Sequence, residues 1–169
     1  MVEIVRYDND QKAPDNITQY AARLFLESIF PDRKITDKKL AEVIDRICKS
    51  DLDVLFADMG EVVGACSSYE LSGLLGKTLC IDRMAITTSV RNQGFGAGIL
   101  NHMAVLSLQN NISRIVLNTG GHPDRNRFYE RSGFVRQNEE GSLYSAPPNA
   151  VRTATKPVFP RPPELPRSS

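Results

Sequence analysis

Arg91-Asn92-Gln93-Gly94-Phe95-Gly96-Ala97-Gly98 sets three glycines into eight residues, between an apolar strand and an amphipathic helix. Glycines at such a junction let the backbone approach a ligand closely and turn successive N–H groups toward it. The helix that follows brings its unpaired N–H groups and positive dipole end to the same place. The guest such a turn suits is an anion, and a pyrophosphate suits it best. Two familiar phosphate-binding devices do not fit. A P-loop requires a lysine after its last glycine, and Ile99 follows Gly98. A dinucleotide fingerprint requires a third glycine three positions after the second, where Ile99 again stands. It also needs an acid some twenty residues on, where this chain has Asn118 and Thr119.

Outward from the loop, Thr78 to Thr88 reads as the strand before it and Gly96 to Asn110 as the helix after it, with Ile99, Leu100, Met103, Leu106 and Leu108 inward. Ser113 to Leu117 reads as a strand, Asp124 to Arg131 as a short helix, and Phe134-Val135 as the start of a last strand. Upstream, Val2 to Tyr7 suits an edge strand. Asp15 or Asn16 can cap a helix from Ile17 to Phe30 that Pro31 ends, and Thr36 opens a second helix to Ser50. Asp53 to Asp58 and Val62 to Leu71 read as strands joined by a turn at Met59-Gly60-Glu61, and Ser72-Gly73 with Gly76-Lys77 bracket a loop. Strands first, then strand and helix in alternation, give an α/β (α+β) fold: a mixed sheet with helices on both faces.

The strand before the loop has an irregularity. Leu79 and Ile81 are apolar at odd positions, Met84 and Ile86 at even ones. A period of two changes face only when one residue is spare, which points to a β-bulge between Asp82 and Met84. A strand buried on both faces would show the same residues, because parity then carries no information. On the residues alone both readings stand.

The loop, with Arg91, Gly94 and Gly96 in an Arg/Gln-x-x-Gly-x-Gly/Ala pattern, resembles that of the GNAT superfamily of N-acetyltransferases. Two further stretches agree in order and spacing: Met84-Ala85-Ile86 before the loop, and Arg127-Phe128-Tyr129-Glu130-Arg131-Ser132-Gly133-Phe134 after it. The resemblance is close from Leu79 to Val135. It implies a mixed, mostly antiparallel central sheet and acetyl-CoA as cosubstrate. It also implies that the amides of Gln93, Gly94, Phe95, Gly96 and Ala97 hold the pyrophosphate, with Arg91 adding charge. The main chain of Met84, Ala85 and Ile86 would run beside the pantetheine arm as an extra strand partner. Tyr129 would be the acid that protonates the leaving thiolate, and the bulge is the favoured reading of the strand. The chain departs from the family at His122, where many members have Asn, and at Arg125, where they have Ala. His122 is a candidate cosubstrate contact or base beside the plainer role of a turn residue.

Acyl transfer to an amine sets further demands. An alkyl ammonium, with a pKa of about 10.4, must lose a proton before it can attack. Proximity of the two substrates then lowers much of the barrier, and no covalent enzyme intermediate is required. Asp82 and Glu70, on adjacent strands, are the candidate bases, and together they favour a cationic acceptor. A phenol such as Tyr129, with a pKa near 10, can donate to a developing thiolate.

Composition adds bounds. The 169 residues suit one domain, and a net charge of +1 gives no reason to expect nucleic acid or an anionic membrane as partner. No apolar run approaches the roughly 20 residues of a membrane span, and the mixed, acidic Met1 to Asn9 lacks a signal-peptide pattern, so the expectation is a cytoplasmic protein. Cys48, Cys66 and Cys80 lack metal-ligand spacing and read as buried reduced thiols, so no metal site is expected. A GNAT-like domain over 1–145 is followed by a basic extension over 146–169, which holds seven of the ten prolines and reads as extended or disordered. Its PxxP spacing beside arginines between Pro157 and Arg167 is the style of a docking segment, for a partner or for its own domain. The expected function is N-acetylation of a primary amine, on a small molecule or a peptide, through a ternary complex. The alternative is a non-catalytic acyl-CoA-binding protein that docks through this tail. A homodimer is compatible with either.

Overall fold

The computed structural model describes residues 2–57, 60–74 and 76–152. In chain order it contains β1 (Glu3–Tyr7), α1 (Asp15–Ile29), α2 (Asp37–Ile47), β2 (Asp51–Phe56), β3 (Val62–Gly73), β4 (Gly76–Ile86), α3 (Phe95–Gln109), β5 (Ile112–Asn118), α4 (Pro123–Arg131), β6 (Val135–Arg136) and β7 (Leu143–Ala146). The strands form one seven-stranded sheet in the order β1-β2-β3-β4-β5-β7-β6. Every neighbouring pair is antiparallel except β4 with β5. The expected mixed, mostly antiparallel sheet is present.

Each face of the sheet carries its own core. On one, α1 and α2 cover Leu52, Val54, Ala65 and Ala85 with Ala21, Ala22, Phe25, Val43 and Ile47. These recur at helical spacing, which gives each helix one apolar stripe. On the other, Ile99, Leu100 and Met103 of α3 pack with Leu79, Ile81, Ile115, Tyr129 and Phe134. Full burial of an aliphatic side chain of this size contributes about 1.5–3 kcal/mol before entropy is counted. Leu108 and Val105 of α3 face outward, at 56% and 45% exposure, and Ser107 takes the inward position instead of Leu108.

Several details differ from the sequence reading. Helix α1 starts at Asp15 with Pro14 as its N-cap and no side-chain capping bond, whereas Asp15 or Asn16 was the expected cap. Helix α2 matches its expected start, for Thr36 accepts from the Lys39 N–H at 3.3 Å. Strands β3 and β4 each run two residues further into the turn than expected, since Ser72 pairs with Lys77 and Gly73 with Gly76. Strand β7 was not foreseen; it inserts between β5 and β6 after a turn at Gly141. It is four residues long with no clear alternation, too short for a periodic signal. Cys66 and Cys80 are buried as expected, but Cys48 is exposed, and all three are free thiols.

The packed chain runs beyond residue 145. Ala146 and Val151 are buried in the core that holds α3, and the Arg152 N–H bonds the Ser132 carbonyl at 3.0 Å. Residues 153–169, with the Pro157–Arg167 segment, lie outside the described residues. Among the described residues no helix is long and apolar enough to cross a membrane.

Candidate functional site

The site begins with a split in the sheet. The parallel ladder between β4 and β5 ends at Ile81 and Leu117, after which Asn118 pairs only with Leu143 of β7. From Asp82 onward, β4 is paired with β3 alone. The split coincides with the bulge the sequence pointed to. Ser68 pairs with Ile81 and Ser67 with Arg83, leaving Asp82 as the spare residue. Leu79, Ile81, Met84 and Ile86 consequently all face the α3 core, despite their change of parity. A bulge bends its strand and adds twist, which carries the second half of β4 away from β5.

The freed edge presents backbone groups. In an antiparallel ladder, alternate residues turn both N–H and C=O to the partner strand. The Thr87 N–H bonds the Val63 carbonyl at 2.9 Å, so Met84 and Ile86 turn theirs to the vacated side. The Ile86 carbonyl on that side accepts from Arg91 Nε at 3.2 Å, which pins the loop to the strand end. The main chain of Met84 and the N–H of Ile86 are left facing the gap.

The loop itself is built as its glycines require. Gly94 caps α3 with φ of 89°, and Asn92 also has positive φ, at 62°. Glycine adopts this conformation freely, and asparagine tolerates it better than most residues. A Cβ on Gly96 would meet the Phe128 ring at 3.2 Å, so glycine here allows α3 and α4 to close up. The first α3 amide with a partner is Gly98, bonded to the Gly94 carbonyl at 3.0 Å. Among the described residues the amides of Gln93, Gly94, Phe95, Gly96 and Ala97 have no hydrogen-bond partner. Five N–H groups left without a partner at a helix start fit a diphosphate.

Loop, strand edge and α4 enclose a cleft of about 830 Å³. Met84, Ala85, Ile86, Arg91, Gly94, Phe95, Gly96 and Ala97 line it, as do His122 and Tyr129; Gln93 does not. Four arginines reach it, Arg91, Arg125, Arg127 and Arg131, against one lining acid, Asp124, so the walls are cationic. Tyr129 is 8% exposed. Burial, with Cys66 nearby, pushes its phenol well above the usual value, and the Arg125 charge pulls it partly back. The group therefore stays protonated at neutral pH. No side chain among the described residues hydrogen-bonds its hydroxyl. Phe128 and Phe134 hold the ring by edge contacts, with centroids 5.0 and 5.7 Å away.

The two candidate bases stand outside the cleft lining. Asp82 occupies the bulge with its carboxylate 3.5 Å from Arg83 Nε, and Glu70, opposite Leu79, lies 3.4 Å from Lys77 Nζ. They are not brought together. His122 is the N-cap of α4 and makes no side-chain capping bond. An acid the sequence reading passed over is Asp53 on β2, whose side chain is fully buried. It accepts from Arg6 Nη1 at 2.7 Å and lies 3.0 Å from His102 Nε2, joining β1, β2 and α3. Asp53 lies within the run Leu52 to Phe56, whose other residues are all apolar, and that mismatch was its signal; its two partners lie 47 and 49 residues away. Among the described residues no cluster of three His, Cys, Asp or Glu side chains is arranged to hold a metal ion.

Comparison with known proteins bears on this geometry. A family model described as an acetyltransferase (GNAT) domain matches residues 50–136. No curated protein matches the sequence. Among solved structures, GCN5 of Tetrahymena is similar at 13% identity with a TM-score of 0.66, covering 90% of this chain and 99% of its own. A GNAT-family acetyltransferase of Staphylococcus aureus Mu50 gives 14% identity and a TM-score of 0.65, covering 87% of this chain and 99% of its own. A GNAT-family acetyltransferase of Elizabethkingia anophelis, solved with acetyl-CoA bound, gives 16% and 0.62, covering 86% and 97%. At such identities the structural likeness speaks for the fold alone. The family model spans more than half of the sequence and includes the strand edge, the loop and Tyr129, and by it the chain belongs to the GNAT acetyltransferase family.

Proposed function

We propose that the protein is an acetyl-CoA-dependent N-acetyltransferase that acts on a primary amine, of a small molecule or a peptide, within a ternary complex. The observation that carries this is the open edge of β4 beside five unpartnered amides, with a protonated Tyr129 in the same cleft. The amides of Gln93 to Ala97 would hold the pyrophosphate, with Arg91 nearby. The main chain of Met84 to Ile86 would align the pantetheine arm. His122, at the cleft wall, is assigned a cosubstrate contact. The Elizabethkingia relative with acetyl-CoA bound supports the choice of ligand.

When bound, acetyl-CoA supplies the activated acyl group; the residues supply position and protons. The main chain beside the bulge offers a donor to the carbonyl oxygen that gains charge as the amine adds. Tyr129 gives its proton to the sulfur as that atom keeps the electron pair of the broken C–S bond. The amine's own proton must leave as well. Asp82, two residues from Met84, takes it through water, while Glu70, drawn toward Lys77, contributes only negative charge to the approach of a cationic acceptor. One catalytic domain with a basic proline-rich extension completes the proposal.

The test is thiol release from acetyl-CoA across a panel of amines and peptides, followed by mass spectrometry of the product. The expected result is one acceptor class gaining 42 mass units, the difference between acetyl and hydrogen, about the chemistry of direct transfer. Tight acetyl-CoA binding with no acetylated product from any amine would overturn the catalytic reading.

A further inference from the structure

Of the four arginines at the cleft, Arg125 differs from the rest in what it holds. Arg127 is 70% exposed and pairs with Asp124 on its own helix. Arg125 crosses to another element: its Nη2 donates to the Ser28 carbonyl at 3.0 Å, and its Nη1 lies 3.4 Å from the Thr119 carbonyl. Ser28 lies in the last turn of α1, 97 residues earlier in the chain. One guanidinium thus ties the end of α1, the β5–α4 turn and the first turn of α4 together.

The contact answers a need of α1. The last four carbonyls of a helix lack intrahelical donors, and the negative end of its dipole favours a cation. Helix α1 has no basic residue in its last turn. Arg125 supplies both the donor and the charge from across the cleft. Ser28 and Pro31 line that cleft, so the end of α1 is one of its walls. Arg125 also stands four residues before Tyr129 on α4, one helical turn away on the same face. A shorter side chain such as alanine could reach neither carbonyl.

We infer that Arg125 is a positioning residue for acyl transfer: it clamps the end of α1 onto α4, so that the α1 wall of the cleft and Tyr129 are held in one frame when the amine arrives. This rests on the reading that amines are acetylated in this cleft. Ser28 and Pro31 belong to the end of α1 and the turn after it, whereas the five amides belong to the loop and the start of α3, so the clamp is assigned to the amine and not to the diphosphate.

The experiment compares Arg125→Ala and Arg125→Lys with the unaltered full chain. Hydrogen exchange reads the clamp without any need for turnover. In Arg125→Ala, amides at the end of α1 and in the following turn should exchange about tenfold faster, with the global melting transition retained. With the amine found by the panel above, Arg125→Ala should raise the amine KM about tenfold or more and lower kcat, while acetyl-CoA affinity stays within about threefold. Arg125→Lys keeps the charge and can reach one carbonyl, and should recover part of the KM and of the protection. Unchanged exchange at the end of α1 overturns the clamp. So does faster exchange accompanied by an unchanged amine KM, or a loss confined to acetyl-CoA affinity, which would make Arg125 a cosubstrate ligand. If the unaltered chain acetylates no amine while the exchange result holds, the catalytic reading fails and the structural clamp stands.

Discussion

The two halves of β4 share a sequence style and differ in their neighbours. Lys77 to Ile81 lies between β3 and β5 and is paired on both edges; Arg83 to Ile86 is paired with β3 only. Both halves pack apolar side chains against the same core. The first half therefore uses its backbone hydrogen bonds within the sheet, and the second leaves on its open edge the groups proposed above to meet the cosubstrate. One spare residue, Asp82, separates the two behaviours. A strand edge has been opened here without exposing the core, because the bulge bends the strand while Met84 and Ile86 stay on the face that Leu79 and Ile81 occupy.

The sharpest way to break the open half is to spoil its neighbour, the loop. Gly96→Asp would put a carboxylate on one of the residues whose amides are unpartnered, and its Cβ would crowd Phe128. Acetyl-CoA affinity by calorimetry should fall by about a thousandfold or more, since an uncompensated like charge meets the diphosphate. Gly96→Ala, with the crowding and no charge, should lose far less. Equal affinity in Gly96→Asp and the unaltered protein would show that the diphosphate lies elsewhere.

A second intervention acts on the divide itself. Deleting Asp82 makes Ile81 and Arg83 consecutive, and their partners Ser68 and Ser67 already are. The ladder becomes regular with every side chain on its present face, so the chain should still fold. What should go is the bend. The expected result is a cooperative melt like that of the unaltered protein, with kcat/KM lower by about a hundredfold or more beyond the loss in Asp82→Ala, which removes the proposed base and keeps the bulge. A loss no larger than that of Asp82→Ala would show that the split between β4 and β5 is held open by something other than the bulge.

How much of this was legible beforehand follows from the range of each signal. The loop and the parity change before Met84 are local, and each appears in the structure where the sequence put it, as does the α3 stripe up to its end, where Ser107 and not Leu108 faces inward. The start of α1 was misplaced because Asp15 and Asn16 both suit a cap, while the helix begins after Pro14. Strand β7 is stabilised by pairing to β5 and β6, partners that no window of four residues contains. The same holds for the site. Tyr129 and the glycines were legible from a motif, but the Arg125 clamp depends on a carbonyl 97 residues away. Glu70 and Asp82 looked like a pair because adjacent strands carry them; the register sets Glu70 opposite Leu79 and Asp82 opposite no residue.

The smallest effect should come from Tyr129→Phe, which alters neither half of β4 and removes only one oxygen from the cleft. Both rings suit the edge contacts with Phe128 and Phe134, and the hydroxyl has no protein partner among the described residues to lose. Stability should stay within about 1 kcal/mol, the range of a change that leaves no buried group unpaired. Acetyl-CoA affinity should hold as well, because the amides and the strand edge are untouched. The loss belongs in kcat: about tenfold to a hundredfold, as water takes over protonation of a thiolate that is itself a tolerable leaving group. Burial keeps the phenol protonated through neutral pH, so in the unaltered enzyme its own ionisation should put no falling limb on kcat between pH 7 and the ordinary tyrosine value of about 10. A kcat equal to that of the unaltered enzyme would take the proton from Tyr129 and give it to solvent, leaving the open edge and the amides to account for catalysis by placement alone.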